Sequence, residues 1–339
     1  MQKRKKSVFP GGVHPTDGFD KALSMDSAVQ PYCPETVTIL SEQSFGGKCS
    51  FLVSPGDHIK KGQLIGKPEA FMAAPLHASV SGKVLEIKEV QEQGRSIMAC
   101  IVQKETDPEV NTELSYYKGA ADISNISSQE ILTGIRDGGL TGMGGAGFPT
   151  HKKYETDKTI TDLLINGAEC EPYITSDNRE FLECSESVMR GIAAVKQHLG
   201  IKKVVIGIER NKPEAIDLMF SLVKNAPDYS VMPLQSRYPQ GAEKVLIEKT
   251  TGREVPRGGL PADAGVIVLN VTTVSTLGKY LATGMPLTTK RLTVDGDAIG
   301  EAKNVEVVIG TPIGDVLDFC GVKDDVSKVL MGGPMMGTA

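Results

Sequence analysis

The sequence predicts an α/β protein of several domains, and three changes of pattern along its 339 residues lead to that prediction. Residues 35–105 carry short apolar segments between turn residues, which indicates a small β domain. Residues 120–284 alternate apolar strand segments with amphipathic segments, which indicates a layered α/β domain. Residues 285–335 return to strand patterns followed by one short helix, while residues 1–34 are irregular and are predicted to form an extended arm.

The β-rich part contains two segments that are predicted to fold as hairpins, FLVSPGDHIKKGQLIG and APLHASVSGKVLEIKEV. Turn residues divide each apolar run, at Pro55-Gly56-Asp57 in the first and at Ser81-Gly82 in the second. The pair resembles the barrel-sandwich hybrid fold of lipoyl and biotinyl carrier domains, in which two hairpin halves close on each other. Those carriers hold a modified lysine on the connecting turn, but the connecting stretch EAFMAAPLHA has no lysine. We therefore predict a related, unmodified domain over residues 35–105.

Three apolar strands and several helices are predicted in the α/β part. The predicted strands are DLLIN (162–166), KVVIGIE (203–209) and GVIVLNV (265–271). The predicted helices are EILTGIRD before a Gly-Gly pair, ESVMRGIAAVKQHL closed by Gly200, PEAIDLMFSLVKNA opened by Pro213, EKVLIEKTTG, and a last one from about Thr273 to Thr283.

Composition and charge argue against several classes of function. Lys plus Arg number 37 and Asp plus Glu 42, giving a net charge of −5, so nothing marks the chain as a nucleic-acid binder. The sequence has no apolar run of about 18 residues and no apolar region behind its basic start. We therefore predict a soluble chain without a spanning helix or a secretory signal. Its six cysteines form no CxxC unit, so no metal site is predicted.

Four glycines crowd the segment 142–147; they are Gly142, Gly144, Gly145 and Gly147. The segment matches GxGxxG, but it follows a predicted helix, whereas the dinucleotide fingerprint follows a strand. Without Cβ atoms, this backbone can approach a flat or phosphorylated ligand and present its N–H groups to an anionic end. Lys152 and Lys153 follow closely, where an ammonium group could meet a phosphate. A plain glycine-rich turn is the alternative interpretation.

A polar loop, NGAECEP (166–172), directly follows the strand DLLIN. Ligands of parallel sheets bind beyond the carboxyl ends of the strands, so the loop is a candidate site. Glu169 and Glu171 are two residues apart in an extended loop and are expected to point to opposite sides. The strand GVIVLNV has the same layout, with Asn270 at its end and Thr273 just beyond. A solvated acidic turn is the alternative.

Four long motifs, in order, are similar to the RnfC subunit of the Rnf electron transport complex, a family related to the FMN-bearing NADH dehydrogenase subunit of respiratory complex I. They are GLTGMGGAGFPTHKK, LINGAECEPYITSDNR, YPQGAEKVLIEKTTGREVPRGGLPADAGVIVLNV and MGGPMMG. The resemblance covers essentially the whole chain. It implies a Rossmann-like α/β domain with non-covalent FMN, NAD(H) stacked over the flavin, and a small β-grasp domain of the SLBB type over residues 285–335.

The resemblance also implies roles for individual residues. The FMN-binding residues would be Gly142, Gly144, Gly145, Gly147, Lys153, Asn166, Glu169, Asn270 and Thr273. Within this set, Asn166 and Glu169 would lie at the flavin end, and Asn270 and Thr273 at the phosphate. The residues on the nicotinamide side would be Phe148, Glu171 and Glu243. No residue is assigned a catalytic role, because the flavin would perform the chemistry.

The implied function is that of an electron-transfer subunit of an ion-translocating ferredoxin:NAD oxidoreductase, peripheral to the cytoplasmic face of the inner membrane. Its partners would be the other Rnf subunits, including membrane-embedded ones, and ferredoxin or an iron–sulfur subunit. The family carries a C-terminal ferredoxin-like part with two CxxCxxCxxxCP runs, which these 339 residues lack. We therefore expect a truncated chain whose electrons pass to [4Fe-4S] clusters beyond it.

The chain departs from the complex I relative at three positions. Met143 stands where that relative has Arg, Ala168 where it has Asp, and Ala242 where it has the first of two Glu. One hydrogen-bonding group to the flavin is therefore missing, and we expect weaker FMN binding. Two alternatives stay open: a cobalamin reductase of the propanediol-utilisation type, and a non-catalytic docking subunit with an empty flavin site.

Overall fold

The structure is a computed structural model, and it describes residues 11–13, 21–106, 123–145, 147–323 and 325–339. Within these residues the strands form four sheets. Much of the predicted arm lies outside the described residues, as does most of the polar stretch 103–124, whose composition is typical of a linker.

The β-rich part consists of two antiparallel sheets packed face to face. Two short elements precede it, helix α1 (Ala22–Met25) and strand β1 (Gln30–Tyr32). Its strands are β2 (Thr36–Leu40), β3 (Cys49–Phe51), β4 (His58–Ile59), β5 (Leu64–Pro68), β6 (Leu76–His77), β7 (Gly82–Glu92) and β8 (Arg95–Lys104). One sheet has the order β2-β8-β7-β4 and the other β3-β5-β6. Ile39, Ile59 and Ile65 are among the buried residues of the core between them, and apolar burial of this kind is the main stabilising contribution.

The two predicted hairpins are not formed as predicted. Strand β3 pairs with β5, while β4, which lies between them in sequence, pairs with β7 in the other sheet. Strand β6 pairs with β5 and β7 with β8, so Ser81-Gly82 connects two sheets. Gly82 permits this crossing, because a Cβ atom there would lie 2.1 Å from the carbonyl oxygen of Gln103. Turn residues mark where strands end, but they do not specify which sheet each strand joins.

The α/β part contains four parallel strands in the order β11-β10-β9-β12. Its elements are α2 (Ser128–Asp137), α3 (Thr150–Tyr154), β9 (Asp162–Gly167), α4 (Ser176–Glu183), α5 (Ser185–Leu199), β10 (Lys203–Glu209), α6 (Pro213–Val223), β11 (Tyr229–Leu234), α7 (Glu243–Thr251), β12 (Val266–Asn270) and α8 (Val271–Thr283), with short 3₁₀ helices at Ile123–Asn125 and Pro261–Ala264. The three predicted strands are confirmed, whereas β11, α3 and α4 were not predicted. The chain runs outward from β9 to β11 and returns on the other side of β9 as β12, so the strand order reverses between β9 and β12.

Helices α5 and α8 pack closely under the sheet because each has a glycine at their contact. A Cβ atom on Gly191 would lie 1.9 Å from the carbonyl oxygen of Val274. A Cβ atom on Gly278 would lie 1.9 Å from the carbonyl oxygen of Ser187. The N-terminal end of α8 is therefore held at a fixed position beside the end of β12.

The C-terminal part contains β13 (Thr289–Val294), β14 (Lys303–Val308) and α9 (Ile313–Phe319). The predicted unit of two strands and a helix is present, with β13 and β14 antiparallel. Strand β1 adds to it in parallel on the free side of β14, pairing Pro31 with Glu306. Within the arm that was predicted to be irregular, the structure forms α1 and β1, and β1 is ordered by its pairing with the distant strand β14.

The β-rich part contacts both of the other parts. The backbone N–H of Thr38 donates to the carbonyl of Gly310 at 2.8 Å, and the Ser79 hydroxyl donates to the carbonyl of Ile309 at 2.6 Å. Toward the α/β part, the N–H of Phe45 donates to the carbonyl of Gly147 at 3.1 Å. In the part of the chain that is described, no helix is long and apolar enough to cross a membrane.

The close contact between α5 and α8 makes a prediction about stability. Gly191→Ala should lower the free energy of unfolding by about 1–3 kcal/mol or more, because the added methyl group overlaps the carbonyl of Val274. Gly314→Ala in α9 is the matched control, since a Cβ atom there meets no atom within 4 Å; it should be neutral or slightly stabilising. Urea denaturation midpoints of the two variants would measure the difference, and equal midpoints would contradict the packing described.

Candidate functional site

A cleft of about 540 Å³ runs along β12 and reaches the carboxyl ends of β9 and β12. Asn270, the last residue of β12, is paired in register with Asn166, the residue before the end of β9. The strand order reverses at this position, and such reversals are where ligands bind in open parallel sheets. The volume lies within the range of about 300–1,000 Å³ that is typical of small-molecule sites.

Most of the residues predicted from the sequence line this cleft. Those predicted to bind FMN are Gly142, Gly144, Gly145, Gly147, Lys153, Asn166, Asn270 and Thr273. Those predicted for the nicotinamide side are Phe148 and Glu243. Glu169 and Glu171 are not among the lining residues.

The glycine-rich loop is held against the start of α8. The N–H of Met143 donates to the Thr273 hydroxyl oxygen at 2.9 Å, and the Lys290 ammonium donates to the carbonyl of Met143. Gly144 lies so close to Asn270 that a Cβ atom would be 2.8 Å from the side-chain Cγ. The loop therefore approaches α8 only because position 144 lacks a side chain.

The N-terminus of α8 is capped and faces the cleft. The Asn270 side-chain oxygen accepts a hydrogen bond from the N–H of Thr273 at 3.2 Å, as N-cap residues do. The Asn270 amide donates to Asp177 at 2.6 Å, and the Thr272 hydroxyl donates to the other Asp177 oxygen at 2.6 Å. Burial raises the pKa of Asp177 against these hydrogen bonds. A helix N-terminus carries a partial positive charge, so this end of the cleft favours an anionic group.

Lys153, which is predicted to bind FMN, forms an ion pair with Glu243, which is predicted for the nicotinamide side. Its Nζ lies 2.8 Å from Glu243 Oε1 and donates to the carbonyl of Val268 at 3.1 Å. Both charged side chains are partly exposed. The cleft therefore contains an ammonium group that is paired with Glu243, the first residue of helix α7.

Glu169 lies beneath the cleft wall, where it organises the loop after β9. Its carboxylate accepts hydrogen bonds from the N–H groups of Asp177 at 2.5 Å and Asn178 at 3.3 Å, at the start of α4. Its φ of +49° is left-handed, which is unusual for a residue other than glycine. Burial raises its pKa to about 7.

Glu169 belongs to a buried lysine–glutamate cluster formed by Lys21, Glu169, Glu209 and Lys212. Lys212 is fully buried, donates to the carbonyl of Ala168 at 2.9 Å, and lies 3.8 Å from Glu169 and 3.9 Å from Glu209. Lys21 donates to the carbonyl of Glu169 at 2.5 Å. Burial lowers the pKa of Lys21 to about 8 and raises that of Glu209 to about 7. No pattern in the sequence indicated this cluster, because its members come from separated segments.

Glu171 contacts the C-terminal segment 331–339. Its Oε1 accepts hydrogen bonds from the N–H groups of Met335 at 2.5 Å and Met336 at 3.2 Å. A Cβ atom on Gly333 would lie 2.2 Å from Glu171 Cγ, so the segment is close-packed on this side chain. The structure thus brings Glu171 to a different neighbourhood from the other two residues predicted for the nicotinamide side.

Two of the positions that differ from the complex I relative point away from the main cleft. Met143 is buried and lines a second cavity of about 230 Å³, together with His77 and Lys290, on the other side of the glycine-rich loop residues that line both cavities. Burial lowers the pKa of His77 to about 4. Ala168 is fully buried in an apolar cluster that includes Leu164. Across the described ranges, no group of three or more His, Cys, Asp or Glu residues could hold a metal ion.

The lysine–glutamate cluster makes a prediction about stability. Lys212→Met keeps much of the side-chain volume but leaves Glu169 and Glu209 buried with one cation fewer. Removing one partner of a buried ionic network costs about 3–5 kcal/mol, so the free energy of unfolding should fall by that order. Lys202→Met is the matched control, because Lys202 is exposed on the approach to β10. A loss in Lys212→Met no larger than in the control, measured by urea denaturation, would show that the cluster does not hold the loop.

Two family models match this chain. Residues 7–108 match the family described as the RnfC barrel sandwich hybrid domain, and residues 135–279 match the Nuo51 FMN-binding domain. The second range contains the glycine-rich loop, β9, β12 and the start of α8.

Curated relatives are similar over nearly the whole chain. The C subunit of the proton-translocating ferredoxin:NAD⁺ oxidoreductase complex of Clostridium ljungdahlii is 41% identical over 98% of this chain and 72% of its own length. The C subunit of the Na⁺-translocating ferredoxin:NAD⁺ oxidoreductase complex of Acetobacterium woodii is 37% identical over 98% of this chain and 75% of its own length. The C subunit of the ion-translocating oxidoreductase complex of Vibrio cholerae is 34% identical over 97% of this chain and 43% of its own length. The chain therefore belongs to the RnfC family of ion-translocating oxidoreductase subunits.

Proposed function

We propose that this chain binds FMN in the cleft between β9 and β12, exchanges a hydride between NAD(H) and that flavin, and passes electrons to iron–sulfur centres outside these 339 residues. The observation that carries the proposal is the glycine-rich loop held on the capped N-terminus of α8, beside Lys153. Such an arrangement suits a ligand with a flat ring system and an anionic end.

The residues present fit FMN. The backbone at Gly144 already touches Asn270, and a Cβ atom on Gly145 would meet nothing within 4 Å, so the loop leaves open space on one side. The cleft volume of about 540 Å³ can take a ligand of this size. The N-terminus of α8 and Lys153 would hold the phosphate, while Asn166 would lie at the flavin end.

When bound, FMN supplies the hydride chemistry with NAD(H) and the one-electron chemistry with the next carrier. The protein binds, orients and excludes water. Asn166 is fixed by donating to the carbonyl of Gly241 at 2.8 Å, so its side chain is set before any ligand arrives. Phe148 and Glu243 would line the nicotinamide side.

Glu169 and Glu171 would stabilise the conformation of the loop after β9. Glu169 would hold the loop against the start of α4, where its carboxylate accepts two backbone hydrogen bonds. Glu171 would hold segment 331–339 against the same loop. Both are therefore proposed as positioning residues for the flavin and nicotinamide sides.

The types of the two C-terminal domains and the partners of the chain are part of the same proposal. The four parallel strands with helices between them support a Rossmann-like domain over residues 120–284. The β13–β14 pair with α9 supports a β-grasp domain of the SLBB type over residues 285–335. The family assignment supports the other Rnf subunits as partners, ferredoxin or an iron–sulfur subunit as electron partner, and a peripheral position at the cytoplasmic face of the membrane.

The proposal predicts a preference for the phosphorylated flavin. Charge-assisted hydrogen bonds contribute about 1.5–3 kcal/mol, so FMN should bind about 10- to 100-fold more tightly than riboflavin. Lys153→Met should reduce this preference about tenfold, whereas Lys158→Met, an exposed lysine nearby, should not. Flavin fluorescence titration measures both affinities.

Two outcomes would overturn the proposal. Equal affinity of wild type for FMN and riboflavin would remove the phosphate site from the glycine-rich loop. A wild-type FMN complex whose visible absorbance stays unchanged when NADH is added would remove the hydride exchange.

A further inference from the structure

Two phenylalanines of the β-rich part are exposed beside the cleft of the α/β part. Phe45 lies in the loop between β2 and β3 with 58% of its surface exposed, and Phe71 lies between β5 and β6 with 77% exposed. Exposed apolar side chains that cluster beside a cleft commonly mark a binding surface. No pattern in the sequence indicates a role for either residue.

Each phenylalanine contacts a residue that lines the cleft. The Phe45 ring is stacked on Phe148, with centroids 6.0 Å apart and an interplanar angle of 29°. The Phe71 ring covers the Lys152 ammonium, whose Nζ is 3.1 Å from the ring centroid and also forms a 2.7 Å ion pair with Glu155. The two loops of the β-rich part therefore extend the cleft wall formed by residues 147–156.

Backbone contacts hold the Phe45 loop against its neighbours. Its N–H donates to the carbonyl of Gly147 at 3.1 Å. Gly46 has a φ of +118°, and a Cβ atom there would lie 2.4 Å from Met72 Cβ. The two loops are thus fixed against each other as well as against the α/β part. A loop held in this way loses little conformational entropy when it binds a ligand.

We propose that Phe45 stacks on the adenine ring of NAD(H), so that the β-rich part supplies the adenine end of the dinucleotide site. The inference rests on the NAD(H) and FMN function proposed above and adds a residue and a domain to it. An adenine ring is flat, aromatic and apolar on its faces, and it stacks on exposed aromatic side chains.

The exposure of Phe45 separates this role from simple packing between domains. A residue that only holds two domains together is expected to be buried between them, yet more than half of the Phe45 surface is exposed. Its exposed surface and its contact with a cleft-lining ring fit a ligand that enters beside Phe148.

The test is the affinity of the purified full chain for ADP-ribose, which contains the adenine but cannot react with the flavin. Loss of one aromatic stacking partner of a base typically weakens binding by about 5- to 100-fold, and we expect a loss in this range in Phe45→Ala. Phe45→Tyr should retain wild-type affinity. Phe220→Ala is the matched control, because Phe220 on α6 is 45% exposed and does not line the cleft. Isothermal titration measures ADP-ribose binding, and fluorescence titration measures FMN binding on the same variants.

The outcomes distinguish this inference from the proposed function. Reduced ADP-ribose affinity with unchanged FMN affinity supports it. Unchanged ADP-ribose affinity in Phe45→Ala overturns it, as does a parallel loss of FMN, which would show a structural role. Wild type that NADH reduces but that does not bind ADP-ribose overturns this inference alone. Wild type that NADH does not reduce and that binds neither NAD⁺ nor ADP-ribose overturns the proposed NAD(H) function as well.

Discussion

The contact between Gly144 and the Asn270 side chain is the constraint on which the candidate site depends. It lets the glycine-rich loop lie on the first turn of α8, where Met143 donates to Thr273. The same asparagine caps α8 and holds Asp177 at the start of α4. A single side chain at the end of β12 therefore connects the loop, two helices and the sheet edge. Rigid connections of this kind preorganise a binding site and reduce the cost of ordering it on binding.

Buried charged side chains stabilise the loop that follows β9, which is the second loop of the candidate site. Lys212 and Lys21 donate to the backbone carbonyls of Ala168 and Glu169, and the Glu169 carboxylate accepts from the N–H groups that begin α4. Breaking such a network leaves an unpaired buried charge, which is far more costly than losing an exposed ion pair. Because Lys21 comes from the segment before β1, the N-terminal region stabilises the loop that follows β9 from outside the α/β part.

Elements with local signals could be predicted from the sequence, and those that depend on distant partners could not. The helix closed by Gly200 and strands β9, β10 and β12 follow from periodicity and cap residues, as do the glycine-rich loop and the strand-end asparagines of the site. Strand β1 is three residues long and contains Pro31, and it forms because β14 offers a free edge. The position of the loop after β9 and the family resemblance assigned Glu169 and Glu171 to the site, but the fold turns their carboxylates toward α4 and toward the C-terminal segment. Phe45 carried no sequence signal, because its position depends on how the β-rich part packs against the α/β part.

The most direct measurement of the central claim is the dissociation constant of FMN from Gly144→Ala. The added methyl group would lie 2.8 Å from Asn270 Cγ, so the loop must move away from α8. With Gly314→Ala as the reference substitution, the account predicts FMN affinity at least about tenfold weaker in Gly144→Ala, which corresponds to about 1.4 kcal/mol, while thermal unfolding shows that the chain stays folded. Unchanged FMN affinity in a folded Gly144→Ala protein would contradict the claim that this contact builds the flavin site.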